Sequence, residues 1–319
     1  MQTSMRVSIV IPTQRRPEPL ERALRSAFAQ AGVDPQTVEV VVADNDAVPS
    51  ARTLVERLDA ASPFGVRYVH EPRAGVSNAR NAAMGVATGE FVAFLDDDEE
   101  APSGWLTALL ETQAQFNADV VFGPVEARLP ASVTAHRPYL AHFFSRLGPA
   151  EACVLDHAYG CGDSLVRVAA LPDRARPFDP LSNEIGGEDD VLFSAMRDAG
   201  AVFAWSPSAR VYEDPATDRL SLRYTLPRAF AFGQGAPCRC ANTPGREWGA
   251  AGWMLVGLAQ AMVRAPFAAV AWLTRRPDRA DAFDCLARSL GKIFWWKPFK
   301  VRFYGLTEGQ RSATLVHAA

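Results

Sequence analysis

The chain has 319 residues, 48% of them hydrophobic and 22% charged, and a formal net charge of -3. That length allows one large domain or two smaller ones, with ample core either way. Its five cysteines (Cys153, Cys161, Cys238, Cys240, Cys285) show neither a paired zinc spacing nor the density of a disulfide scaffold, which leaves reduced thiols as the expectation. Charge is spread unevenly: residues 1–225 carry a net -11, residues 226–319 a net +8, and all three lysines (Lys292, Lys297, Lys300) lie in the second stretch. Two parts with different partners are expected.

Met1–Arg6 runs straight into Val7-Ser-Ile-Val-Ile11, too short for a signal core and followed by Pro12 and arginines, so the amino-terminal part is expected to stay in the cytoplasm. Val7–Ile11 reads as a first strand. Pro17 opens a helix with Leu20, Leu24 and Phe28 every four residues, and Val38–Ala43 gives a second strand. Val66–His70, Ser77–Val86, Phe91–Leu95, Ser103–Phe116 and Asp119–Phe122 continue the strand and helix alternation before the pattern loosens. Later, Glu188–Ala199 reads as a helix stopped by Gly200, and Val202–Trp205 as a strand. Such alternation implies an α/β fold with a mostly parallel sheet and helices on its faces.

The chemistry concentrates in acids at strand and helix ends. Phe91-Val-Ala-Phe-Leu95 has the content of a strand buried on both faces, and it delivers five consecutive acids, Asp96–Glu100, to one spot at its carboxyl end. Like charges that close are solvated, partly protonated or holding a cation, and open α/β sheets place ligands at this edge. Asp44 ends the second strand. Glu188, Asp189 and Asp190 stand where a helix begins, and Glu213 follows a strand-like turn. Tyr159-Gly-Cys-Gly-Asp-Ser164 is either a plain turn or a loop that lets the backbone and Asp163 approach a ligand closely. Trp105 and Trp205 lie on apolar patterns and read as core more readily than as ligand-stacking rings.

Val7-Ser-Ile-Val-Ile-Pro-Thr13, the strand-ending Asp44, Gly75-Val-Ser-Asn-Ala-Arg-Asn81, Phe94-Leu-Asp-Asp-Asp98 and Gly187-Glu-Asp189 occur in the order and spacing of the family 2 glycosyltransferases with a GT-A fold. The resemblance covers about residues 5–235. It implies a GT-A domain over residues 1–235 that binds a nucleotide-diphosphate sugar, most readily a UDP-sugar, at the carboxyl edge of the sheet. Pro12 and Thr13 would lie beside the base, Asp44 would accept from the uracil N–H, and Gly75 and Arg80 would lie near the diphosphate. Asp96 and Asp97 would reach the ribose and nucleotide, and Asp163 would hydrogen-bond a sugar hydroxyl. Asp98, with Asp96 and Glu213, would ligate a divalent cation, Mn²⁺ or Mg²⁺, and Glu99 and Glu100 would be exposed neighbours. Asp189, or else Asp190, would be the base of an inverting displacement, with Glu188 orienting the acceptor. Three positions depart from the family pattern: Gln14-Arg15 stand where Tyr-Asn is common, Ala83 stands at a usual Gly, and Glu213 replaces a metal-binding His.

Residues 236–319 read as a helical, basic, membrane-associated region. Trp248–Val263 is apolar apart from Gln260, and Arg264 and Pro266 are expected to interrupt it before Phe267–Leu273 resumes. In Lys292–Tyr304 aromatic residues alternate with cations, a composition suited to an anionic membrane surface, while the acidic main domain argues against nucleic acid. The expected activity is an inverting, metal-dependent transfer to a glycan or glycolipid acceptor, on the cytoplasmic side of the membrane or in the cytoplasm. Nucleotidyl transfer predicts a glycine-rich phosphate loop that Pro12-Thr-Gln-Arg-Arg16 lacks. A catalytically silent, membrane-associated sugar-nucleotide-binding protein has Glu213 in its favour and intact Asp96, Asp98 and Asp189 against it.

Overall fold

The computed structural model describes residues 6–183 and 187–301. It divides into two compact units: the chain up to 128 together with 144–214, and 129–143 together with the chain from 215 onward.

In the first unit β1 (Val7–Thr13), α1 (Pro17–Phe28), β2 (Val38–Asp44), α2 (Arg52–Asp59), β3 (Gly65–His70), α3 (Val76–Val86) and β4 (Phe91–Phe94) follow one another; all but the short α2 were expected from the sequence. These strands pair in parallel in the order β3-β2-β1-β4. Then come β5 (Glu99–Glu100), α4 (Trp105–Phe116), β6 (Val120–Phe122), β7 (Val125–Ala127), α5 (Arg137–Phe144), which belongs to the second unit, and, back in the first, β8 (Cys153–Leu155), β9 (Ser164–Arg167), α6 (Glu188–Asp198), β10 (Phe203–Trp205) and β11 (Val211–Glu213). The large sheet is completed as β3-β2-β1-β4-β9-β6-β10-β8, with β9 antiparallel to both β4 and β6. A small second sheet, β5-β11-β7, stands beside the acidic loop.

Both faces of the large sheet are covered, so its strands carry apolar residues at successive positions rather than alternating ones. Ile9, Ile11, Val40 and Val42 pack with Leu20 and Leu24 of α1 and with Trp105 and Leu109 of α4. The opposite pleat positions, Val10, Val41 and Phe94, pack with Ala79, Ala83 and Met84 of α3 and Phe193 of α6. Each such large side chain contributes about 1.5–3 kcal/mol on burial. Trp105 and Trp205 are core residues, each 1% exposed. The sheet therefore holds β1, β2 and β4 in fixed register, with Thr13 opposite Asp44, and brings their carboxyl ends to one edge.

In the second unit α7 (Leu222–Ala241), α8 (Trp248–Leu273) and α9 (Arg279–Ile293) pack on one another, α7 and α9 meeting backbone to backbone at Gly233 and Gly291. The expected interruption of the apolar stretch at Arg264 and Pro266 is not present: α8 is one helix of 26 residues that runs through both. Arg264 is accommodated because its guanidinium donates to the Cys285 carbonyl and the Ser289 hydroxyl of α9, both at 2.9 Å. Of the aromatic and basic Lys292–Tyr304 stretch, Arg302, Phe303 and Tyr304 lie outside the described residues.

Beyond β6 the chain turns at Gly123, where a Cβ would overlap the Ala209 carbonyl and the Asp163 carboxyl. Gly123→Ala is expected to destabilise the first unit by about 1–3 kcal/mol or more, read as a lowered urea midpoint with unchanged slope.

Candidate active site

The acidic loop after β4 is built from both sides by arginines. Thr13, the last residue of β1, donates its hydroxyl to Asp97 Oδ2 at 2.7 Å. Arg16 places one Nη1 3.0 Å from Asp97 Oδ1 and 2.8 Å from Asp98 Oδ2. Asp97 is buried, and burial, reinforced by Asp98 and Asp96 and opposed by Arg16 and Thr13, pushes its carboxyl up to about 6. On the other side Arg80 of α3 donates to Glu188 Oε1 at 2.6 Å and to Asp96 Oδ1 at 3.2 Å, with its guanidinium over the Phe178 ring. Burial works against the Arg80 charge, but the surrounding carboxylates of Asp96, Glu188 and Asp189 more than offset it and hold the group firmly protonated. Burial raises Glu188 in turn.

Glu99 is not an exposed neighbour of the acidic run, contrary to expectation. It is 4% exposed, because pairing of β5 with β11 turns its side chain inward, where Oε2 accepts the Asp96 N–H at 2.9 Å. Burial, with Asp96 and Asp163 adding, raises its carboxyl well above the ordinary range. Glu100 is half-buried and pairs with Arg128 at 2.6 Å. Gly162 closes over this arrangement: a Cβ there would stand 2.8 Å from both Asp96 Oδ2 and Glu99 Oε1. The glycine loop of residues 159–163 thus approaches the protein's own acids closely.

Asp163 lies at the back of that loop, fully buried, and accepts the Trp105 indole N–H at 2.6 Å through Oδ1, while Oδ2 has no hydrogen-bond partner among the described residues. Burial pushes it up to about 7. Its carboxyl is inside the core in this structure, facing an indole rather than solvent. Asp44 is likewise buried, accepting the Ala51 N–H and the Tyr68 hydroxyl, each at 2.7 Å, and the Ser50 hydroxyl at 3.3 Å. Pro12 precedes Thr13 in β1, and Gly75, at φ 131°, donates its N–H to the Asn45 Oδ1 at 2.8 Å and leaves no room for a Cβ against Asn183.

Asp189 stands in the first turn of α6 with Glu188 and Asp190. Its Oδ2 accepts the Cys161 N–H at 3.2 Å and its Oδ1 the Asp190 N–H at 2.9 Å. A helix amino terminus favours an ionised carboxylate. Cys161 is buried and its thiol pushed far up by that burial, so it is a neutral packing group and not a nucleophile. Glu213 lies opposite Glu99 in the small sheet, and the next residue, Asp214, donates its N–H to the Asp98 carbonyl at 3.0 Å.

Asp96, Asp97, Asp98, Arg80, Glu188, Asp189 and Glu213 are therefore gathered around one loop from elements far apart in sequence. Among the described residues no three or more His, Cys, Asp or Glu side chains form a ready-made metal cage. The oxygen donors suit Mg²⁺ or Mn²⁺, and Mg²⁺ in particular is held through one or two carboxylates plus substrate phosphates more often than in an all-protein cage. A cationic guanidinium already resting on Asp97 and Asp98 marks the place as one that favours positive charge. Sequence reasoning missed Arg16, Glu99 and Arg146, whose guanidinium donates to the Gly162 carbonyl. An arginine at the first position before a Pro-initiated helix was the one available signal.

The family model for glycosyl transferase family 2 matches residues 8–173. This chain belongs to glycosyl transferase family 2. It is a glycosyltransferase. The succinoglycan biosynthesis protein ExoM of Rhizobium meliloti is 40% identical over 232 residues, covering 72% of this chain and 74% of that one. A Campylobacter jejuni GalNAc(5)-diNAcBac-PP-undecaprenol beta-1,3-glucosyltransferase is 30% identical over 116 residues, covering 36% of this chain and 37% of that one.

 The solved mannosyltransferase PcManGT of Pyrobaculum calidifontis, in complex with GDP-Man and Mn²⁺, superposes with a TM-score of 0.62 at 18% identity, covering 93% of this chain and 89% of that one. Staphylococcus aureus TarS 1-349 in complex with UDP-GlcNAc gives a TM-score of 0.53 at 20% identity over 76% of this chain and 68% of that one. These two likenesses establish the shared GT-A fold of the transferase.

The buried acid of this transferase has a consequence for stability. Asp163 titrates near 7 when folded and near 3.9 when unfolded, so between those values the folded state binds more protons, and its stability falls as pH rises. Asp163→Asn is expected to flatten the decline in urea midpoint between pH 5 and pH 8. The residual slope belongs to Asp97, Glu99 and Glu188, which are raised in the same direction.

Proposed function

We propose that this glycosyltransferase moves a sugar from a nucleotide-diphosphate sugar, a UDP-sugar in the first instance, to a hydroxyl of a lipid-linked or polysaccharide acceptor, by a single displacement with inversion. The observation that carries this reading is the unbroken set of contacts Asp98–Arg16–Asp97 and Asp96–Arg80–Glu188, which ties the acidic loop to the helix turn bearing Asp189. In the reaction Asp189 takes the proton of the acceptor hydroxyl as its oxygen bonds to the anomeric carbon. The bond from that carbon to the phosphate oxygen breaks, and the nucleoside diphosphate leaves with the electron pair. Glu188, fixed by Arg80, orients the acceptor, and Thr13 and Asp97 meet the nucleotide. A divalent cation held through Asp98, with Asp96 and Glu213 as further oxygen donors, would supply Lewis-acid neutralisation of the departing diphosphate. The names of the ExoM and undecaprenol-linked relatives support a polysaccharide or lipid-linked acceptor.

Attachment to an anionic membrane surface on the cytoplasmic side belongs to the same reading. At about 1.5 Å per residue α8 is long enough to cross a bilayer, and an 18-residue stretch of it has a mean hydropathy of 1.5. Its polar side faces α9, where Gln260 accepts from Lys292 at 2.8 Å beside the Arg264 contacts, while Leu255, Met262, Val263, Phe267 and Val270 are exposed. That inverted amphipathy supports a helix lying against lipid with α9 behind it.

Two outcomes are expected. Asp189→Asn lowers kcat with a nucleotide sugar by about a hundredfold or more with little change in donor affinity, and near-wild-type turnover would reassign the base. The double variant Met262→Glu, Phe267→Glu sediments with anionic phosphatidylglycerol vesicles much less than wild type while keeping its helix content. Equal sedimentation would remove α8 from the membrane contact.

A further inference from the structure

We infer that Arg16 is an exchangeable counter-ion: it holds Asp97 and Asp98 while the donor site is empty, and it yields Asp98 to a divalent cation when a nucleoside diphosphate arrives to accept the released guanidinium. The inference rests on the proposed metal role of Asp98.

Local structure does not call for an arginine at this position. Arg16 is the N-cap residue of α1, with φ -131° and ψ 65°, and it makes no side-chain cap. Ser, Thr, Asp or Asn would satisfy the free N–H groups there, and a cation at the positive end of a helix is mildly unfavourable. The residue is nevertheless set by rigid neighbours: Arg15 is in the left-handed region at φ 56°, and Pro17 opens the helix. The corner sends two adjacent arginines to different acids, Arg15 to Asp46 at 2.8 Å and Arg16 to the Asp97 and Asp98 pair. The contact with the acidic loop is thus what this side chain is positioned to make.

That contact is incompatible with a metal ion in the same place. A guanidinium 2.8 Å from Asp98 Oδ2 and a divalent cation bound to the same oxygen would repel each other strongly. The Arg16 side chain is 31% exposed, so it has a route out without moving the backbone. Once displaced, a planar fork of donors stands at the rim of the loop, matched to phosphate oxygens. Cation and nucleotide binding are then linked: each makes the other's binding more favourable, and by thermodynamic reciprocity the factor is the same from either side.

The test uses the full chain. Mn²⁺ affinity without nucleotide is measured by the electron paramagnetic resonance of free Mn²⁺, and UDP and GDP affinities by calorimetry at zero and saturating Mn²⁺, for wild type, Arg16→Gln, Arg16→Lys and Asp98→Asn. Arg16→Gln is expected to bind Mn²⁺ alone about tenfold more tightly than wild type and to lose most of the Mn²⁺ enhancement of nucleotide affinity, with Arg16→Lys close to wild type. If Arg16→Gln matches wild type in both measurements while Asp98→Asn loses Mn²⁺, the counter-ion role is overturned and the metal assignment stands. If Asp98→Asn binds Mn²⁺ as wild type does, both are overturned. Loss of the folded state in Arg16→Gln, seen by circular dichroism, with Arg16→Lys folded and binding Mn²⁺ tenfold more tightly than wild type, also overturns it, since a retained charge should retain the competition.

Discussion

Asp96, Asp97, Asp98 and Glu99 leave the end of β4 at consecutive positions, and two like charges about 4 Å apart repel by about 4 kcal/mol under partial burial. The surroundings of the loop answer that repulsion from several sides. Arg16 bridges Asp97 and Asp98, Arg80 takes Asp96, and the raised carboxyls of Asp97 and Glu99 lower the charge that must be balanced. The same arginine that neutralises Asp96 also fixes Glu188, so charge compensation in the loop is at once the positioning of α6 and of Asp189. Removing Arg80 would leave buried acids uncompensated on two elements, which is why its role in the donor-free protein is structural before it is anything else.

The strand and helix alternation was legible because β1, β2 and β3 are six or seven residues long and α1 carries a clear apolar stripe, whereas the eight-residue α2 buries too few apolar side chains to have been read. Their acids could be placed at the sheet edge by the same reasoning, since a strand that ends in Asp44 or leads into Asp96 must deliver it there. Past Phe122 only the helix at Glu188 and the strand ending at Trp205 were legible, and both are present as α6 and β10; the stretch between was not. β7, β8 and β9 have three or four residues, too few for a period to show, and β9 enters the middle of the sheet from a distant part of the chain.

Burial of single side chains was the other blind spot. Glu99 reads like its neighbours in an acidic run, and only pairing of β5 with β11 turns it inward. Asp163 follows two nearby glycines and reads as an exposed turn residue, yet the indole of Trp105, far back in the chain, takes one of its oxygens. Arg264 reads as a break in an apolar helix because its partners on α9 come later in sequence. In each case the deciding partner is remote, and composition around the residue carries no trace of it.

Strand β9 runs against its neighbours, with Ser164 beside Phe94 and Arg167 beside Phe91. Its entrance therefore lies at the edge where the parallel strands have their exits, and the residue 159–163 loop reaches the acidic cluster without a crossover helix behind it. Crossover helices are tied to the strands on both sides, but a loop of this kind is not. Insertions or deletions there would reshape what the site admits while leaving the sheet order untouched, so this short segment is where relatives with the same framework can diverge in the molecules they accept.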